Sequence, residues 1–414
     1  MNESQQLFQR AVNALSLANH ADSFFDIIMS DREAFCGLKV IYASATGTEF
    51  NGLSFEAISK ECPLIRPLFA GRGLLFYTDE VFSETIRSQA RIPLDYSLSF
   101  DSNIAEQFRL FVNGKKLSDT DSFMRLLKMV KVREPTFNFD FVPFILENLA
   151  HDIDGNDRPL NTLTALKQFD YLDRDAYATQ RRPDFAKNEV CARTEARVLL
   201  DSFKSDTTMQ HQLARRKTIY LMLLRAMILR WKYPSKHHDN IARMVRISLN
   251  VLGKFAKTEI YFASKMLAPD KSIPHFFSPV SSPRANGLVA LRGISWDLFF
   301  LRFLETVSTK DDRGTFYVPF MASSDKKYAS LVEAFPIRAI VSAPNQKLVH
   351  TVYADDMEFM ALLANALPHD LREELESPTK KASRLSSTGP TTYDLNQRIA
   401  EAEREVQEIY PQET

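Results

Sequence analysis

Residues 94–103 read LDYSLSFDSN, and residues 317–328 read YVPFMASSDKKY. The first stretch reads as a strand, Leu94 to Phe100, that stops at Asp101-Ser102-Asn103, a cluster suited to a turn or a helix cap. The second lies in a series: a strand (Thr315 to Met321), a helix (Asp325 to Ala334) and a strand (Ile337 to Ser342). That order resembles the end of an α/β sheet. Together the two stretches set the expected fold class as α/β, with an acid following a strand in each.

Outward from them, Leu38 to Ala43 and Leu74 to Tyr77 are short apolar runs near glycines and read as buried strands. Leu7 to Met29 carries apolar residues at helical spacing. Residues 121–133 form an amphipathic helix, Phe137 to Phe141 is extended, and Pro143 suits the first turn of a helix, PFILENLA. Residues 155–183 are polar and irregular. From Asn188 to Leu267 the pattern is helical, with helices expected near 189–204, 211–232 and 238–267 and a break at Pro234. Residues 268–294 hold four prolines and read as a loop before a helix, Trp296 to Val307, capped by Ser295. Residues 377–392 (SPTKKASRLSSTGPTT) read as a linker, and Asp394 to Ile409 as a charged helix that docks on a protein partner or on the body.

The chain has 414 residues, enough for two or three domains. Its 52 Lys+Arg balance 52 Asp+Glu, which excludes a uniformly basic nucleic-acid coat and a wholly acidic disordered protein. The zero is a cancellation: residues 181–260 carry a net +10 and residues 350–414 a net −7. Cys36, Cys62 and Cys191 are far apart and form neither a disulfide framework nor a C-x-x-C site, which fits a reducing compartment. The polar start, MNESQQLFQRAVNAL, does not read as a signal peptide. Ile219 to Trp231 is apolar but is interrupted by Arg225 and Arg230 and is too short for a bilayer. The expectation is a cytoplasmic protein with no membrane association.

Four carboxylates carry the chemistry. Asp101 follows a strand, Glu147 lies one turn into a helix, Asp297 opens a helix, and Asp325 follows a strand. In open α/β sheets ligands gather at the carboxyl ends of strands. Acids brought together there repel one another unless a cation sits among them, and oxygen ligands suit Mg²⁺ or Mn²⁺. Such an ion lowers the pKa of a bound water and clamps a phosphodiester.

At these residues the chain resembles the PIN-like nuclease domains. Members place an Asp after the first strand, often followed by a small residue and Asn, as in Asp101-Ser102-Asn103. They then place a Glu on a helix, an Asp on a later helix, and an Asp after a strand in a Thr/Ser-x-Asp turn, as in Ser323-Ser324-Asp325. The resemblance implies a parallel-sheet core over residues 94–150 and 294–345, split by a large, basic, all-helical insert over 151–293. It implies that Asp101, Glu147, Asp297 and Asp325 are catalytic and ligate Mg²⁺ or Mn²⁺, with Asn103 and Ser323 supporting them. The implied activity is metal-dependent hydrolysis of phosphodiester bonds in RNA or single-stranded nucleic acid. Residues 1–93 would form an N-terminal α/β segment, 346–376 a helical extension, 377–392 the linker and 393–414 the C-terminal helix. Between Glu147 and Asp297 the chain departs from a compact member by roughly 145 residues.

Basic side chains in the insert, among them Arg215, Arg216, Lys217, Arg243 and Arg246, offer a face for phosphates. An acidic tail that covers them until nucleic acid displaces it is a further expectation. The competing reading is a non-catalytic protein- or nucleic-acid-binding module in which Asp101, Asp297 and Asp325 are helix caps or first-turn acids and Glu147 is a solvated surface residue.

Other motifs point elsewhere. Tyr353-Ala354-Asp355-Asp356 matches a polymerase YxDD box but reads as a helix start. His237-His238 point in different directions on a helix and do not share a metal. Asp152 to Asp157 is a polar turn that lacks the spacing of an EF-hand loop.

Overall fold

The computed structural model describes residues 3–18, 23–44, 53–86, 92–129, 137–150, 157–173, 176, 184–310, 314–325, 327–344, 348–386 and 389–410. The expected turn at Asp152 to Asp157 lies almost wholly outside these residues. The chain forms two units. The first comprises residues 1–210, 302–329 and 337–353, and the second 211–301, 330–336 and 354–414.

The first unit is mixed α/β and holds two sheets. Its strands are β1 (Lys39–Ser44), β2 (Leu53–Ser54), β3 (Ile65–Pro67), β4 (Gly73–Tyr77), β5 (Leu94–Phe100), β6 (Phe137–Asp140), β7 (Phe316–Ala322), β8 (Ile337–Ala343) and β9 (Leu348–Tyr353). One sheet has the order β2-β4-β1-β8-β9, every pair antiparallel. The other has the order β3-β7-β5-β6, with β5 parallel to both β6 and β7 and β3 antiparallel at the edge. Phe76 on the first sheet meets Phe316 on the second, with ring centroids 4.9 Å apart.

The parallel part is therefore three strands, and β8 does not extend it. Ile337–Ala343 pairs with Lys39–Ser44 instead, Val40 opposite Val341. Every residue of β8 is buried, so both of its faces need cover, and periodicity cannot say which sheet supplies it. Residues 1–93 contribute strands to both sheets: β3 joins the parallel sheet, and β1 and β4 lie in the other.

Two glycines shape this organisation. Gly314 N–H donates to Asp95 Oδ2 at 2.5 Å, and a Cβ there would lie 2.6 Å from the Pro93 carbonyl oxygen. Gly253 adopts φ 65° and ends the helix His237–Leu252 in a left-handed cap. The single helix expected over 238–267 is thus two, with Lys257–Met266 as the second.

Other boundaries also move. The helix expected from Trp296 starts at Gly287, and Ser295 lies buried inside it, its hydroxyl donating to the Arg292 carbonyl at 2.7 Å. The irregular region contains a helix, Arg158–Asp170, whose Leu163, Leu166 and Phe169 are buried. The helix Glu189–Ser205 also belongs to the first unit, so the expected insert is divided at residue 210. The expected linker contains the helix Pro378–Ser386.

The second unit is helical. Phe335 sits at its centre, with ring centroids 4.8 Å from Phe262, 5.7 Å from Tyr261 and 5.9 Å from Phe277. The C-terminal helix, Thr392–Ile409, starts in a capping box of Thr391 and Asp394 and docks within this unit. Among the described residues no helix is long and apolar enough to cross a membrane.

Candidate functional site

The parallel register of β5 and β7 pairs Phe100 with Ala322, so Asp101 and Ser323 leave the sheet side by side. Asp101 N–H donates to the Ala322 carbonyl at 3.2 Å. The Ser323 hydroxyl donates to Asp101 Oδ2 at 2.6 Å, and Asp101 Oδ1 accepts from Ile104 N–H at 2.7 Å. Asp101 is thus the cap of the helix Ser102–Val112 as well as the acid at the strand end. Asp325 N–H donates to the Ser323 Oγ at 3.0 Å, and Asp325 Oδ1 accepts from Lys327 N–H at 2.8 Å. Glu147, on the helix Val142–Ala150, accepts from the Ser102 hydroxyl at 2.5 Å.

Burial pushes the Asp101 carboxyl up to about 6. The two hydrogen bonds oppose that shift, and the charges of Glu147 and Asp325 add to it. Three of the four expected acids therefore interact at one sheet edge. Asp297 lies on the helix Gly287–Val307, in the part assigned to the second unit. Ser323 is buried and central to the group, as expected, whereas Asn103 is exposed and contributes no hydrogen bond among those described.

One further acid ends a strand of the same sheet. Asp140 ends β6 opposite Ser99 of β5. It accepts from Val142 N–H at 2.9 Å and from the Ser99 hydroxyl at 3.2 Å, and burial raises its pKa. The sequence carried a signal for it, since Asp140 closes the extended run FNFD as Asp101 closes LDYSLSF. Its flanking Phe139 and Phe141 made it read as part of the strand.

Among the described residues no group of three or more His, Cys, Asp or Glu side chains is arranged to hold a metal ion. Mg²⁺ often needs only one or two carboxylates, its other ligands being water and substrate phosphate. Asp101 fits that more modest role, because its two hydrogen bonds leave lone pairs free on both oxygens.

The basic residues are engaged within their own unit. The Arg216 guanidinium lies over the rings of Trp296 and Tyr220, 4.7 and 5.0 Å from their centroids. Arg243 lies 4.5 Å over Tyr233, and Arg246 pairs with Asp370 at 3.1 Å. Lys217 is partly buried, which lowers its pKa, with the Arg216 charge adding to the effect. Arg215 is also only partly exposed. On the C-terminal helix, Glu405 pairs with Arg225 and Lys232 at 2.9 and 2.7 Å. Glu403 pairs with Arg292 at 2.8 Å and accepts from the Tyr220 hydroxyl at 2.6 Å. The acidic tail does cover basic helical positions.

The YADD motif is structural on the same grounds. Asp355 precedes the helix Asp356–Ala366, accepts from the Tyr261 hydroxyl at 2.5 Å and pairs with Lys265. His237 Nδ1 lies 2.8 Å from the Leu267 carbonyl.

No family model matches this chain, no curated protein matches it, and no solved structure matches it.

Proposed function

We propose that the carboxyl edge of β5, β6 and β7 is the active site of a hydrolase that cleaves phosphodiester bonds in RNA or single-stranded nucleic acid. The observation that carries this reading is the acid group itself. At the end of a parallel sheet the charges of Glu147 and Asp325 add to the burial that raises the Asp101 pKa, and hydroxyls and N–H groups rather than cations hold the three acids. A divalent ion supplies the missing positive charge and activates water. Asp101 would hold it, with Asp325 and Glu147 beside it. Ser323 orients both Asp101 and Asp325 through one hydroxyl. The resemblance to PIN-like domains at Asp101-Ser102-Asn103 and Ser323-Ser324-Asp325 supports the same assignment.

The test incubates labelled RNA and single-stranded DNA with the wild-type chain and with Asp101→Asn, with and without Mn²⁺. The expected outcome is Mn²⁺-dependent cleavage that the variant lacks. A parallel thermal melt at neutral pH should show Mn²⁺ stabilising the wild type but not the variant. Equal cleavage by both proteins, together with no Mn²⁺ shift, would overturn the reading.

The second reading, a binding module whose acids are caps, draws on one specific contact: Asp101 Oδ1 caps Ile104 N–H. That reading expects neither the cleavage nor the Mn²⁺ shift.

A further inference from the structure

The second unit contains a pocket of about 670 Å³, lined by the Lys254-Phe255 turn and by the helices Asp356–Ala366, His369–Glu376 and Pro378–Ser386. That volume falls within the roughly 300–1,000 Å³ of small-molecule sites. Phe255, Leu363, Leu367 and Leu375 give it an apolar lining. Met360 belongs to the same lining and keeps 47% of its surface exposed, so apolar area remains there for a ligand to cover.

The polar part of the lining is one-sided. Lys254, Arg372, Lys381 and Arg384 contribute four cations, against the single acid Glu376. Backbone carbonyls fix both guanidiniums. Arg372 Nε donates to the Leu367 oxygen at 2.8 Å, and Arg384 donates to the Glu374 and Leu375 oxygens at 2.9 and 3.2 Å. A carbonyl positions the Arg372 guanidinium without cancelling its charge. Lys254 and Lys381 are exposed, as mobile point charges at a pocket mouth would be.

We infer that this pocket binds an amphipathic carboxylate, its aliphatic chain against Met360, Leu363 and Leu367 and its anionic head among the cations. Charge complementarity selects this occupant: a purely apolar lining would accept any hydrophobe, whereas four cations and one acid favour an anionic head. The site does not depend on the hydrolase reading, since all of its residues belong to the second unit.

Calorimetric titration of the full chain with decanoate below its micelle concentration tests the inference, with decanol and acetate as the other arms. Decanoate should saturate a single site, decanol should bind about tenfold more weakly, and acetate should show no saturable binding. The double variant K254E/K381E changes exposed positions only and should weaken decanoate about tenfold while leaving decanol unchanged. Met360→Glu, also at an exposed position, should abolish decanoate binding with the melting temperature retained. Absence of saturable decanoate binding would overturn the inference. So would equal affinity for decanol, many sites per chain, or a K254E/K381E chain that binds decanoate as the wild type does.

Discussion

Two groups of acids, one in each unit, are held in different ways. In the first, Asp101, Glu147 and Asp325 are held by Ser323, Ser102 and backbone N–H groups. In the second, Glu403, Glu405, Asp370 and Asp355 each meet an arginine or a lysine. A hydroxyl satisfies a carboxylate's hydrogen bonding but leaves its charge standing, whereas an ammonium or guanidinium does both. Acids of the second kind hold helices together. Acids of the first kind keep a charge that a ligand can use, and for that reason the functional assignment rests on the sheet edge.

Five substitutions break or sharpen this contrast. The largest effect is expected at Arg230, which is 3% exposed and donates to the carbonyls of Ser281, Met266 and Ala268 and to Asp270. Arg230→Ala strands those acceptors and should cost about 3–5 kcal/mol in urea unfolding. Asp270 is 88% exposed, so Asp270→Asn should cost far less, and equal losses would show that the ion pair rather than the carbonyl bonds holds this region.

Next in size is Asp101. Its pKa in the fold, about 6, lies above its ordinary value, so the folded chain binds that proton more tightly than the unfolded chain does. The associated stability is complete below about pH 4 and is lost as pH rises through 6. A shift of this size corresponds to about 2–3 kcal/mol. Asp101→Asn should therefore be more stable than the wild type at neutral pH and should lose the slope between about pH 4 and 7. An unchanged slope would remove Asp101 as its source.

Smaller effects are expected where charge is already balanced. Glu405→Gln removes two partly exposed ion pairs and should cost about 1 kcal/mol, with the cost shrinking as salt is added. A salt-independent loss would mean that packing, not charge, docks the C-terminal helix. Arg246→Ala removes one exposed pair with Asp370 and should change stability by no more than about 0.5 kcal/mol. A larger loss would show that the helix His369–Glu376 depends on that contact.

Much of the local structure was legible in the chain. β5 ends where LDYSLSF meets Asp101, β4 and β1 coincide with the short apolar runs, and the cap cluster at Asp101 starts a helix. Asp101, Asp325 and Ser323 stand out in the sequence because each sits at or near the end of an element, where local signals are strongest. Asp140 is hidden in the sequence because its neighbours are aromatic residues of an extended run. The basic face was read from composition, which counts charges but not their partners. Glu403 and Glu405 are more than a hundred residues away from the cations they meet.

By itself the sequence determined the element types, the strand-end acids and the uneven distribution of charge, since each follows from residues within a few positions of one another. Only the tertiary structure decided that β8 joins β1 rather than β7. It also decided that Asp101 shares Ser323 with Asp325, and that the basic helix is matched by the acidic tail. The physical reason is that strand pairing, carboxylate repulsion and ion pairing act between groups brought close in space, whatever their separation along the chain.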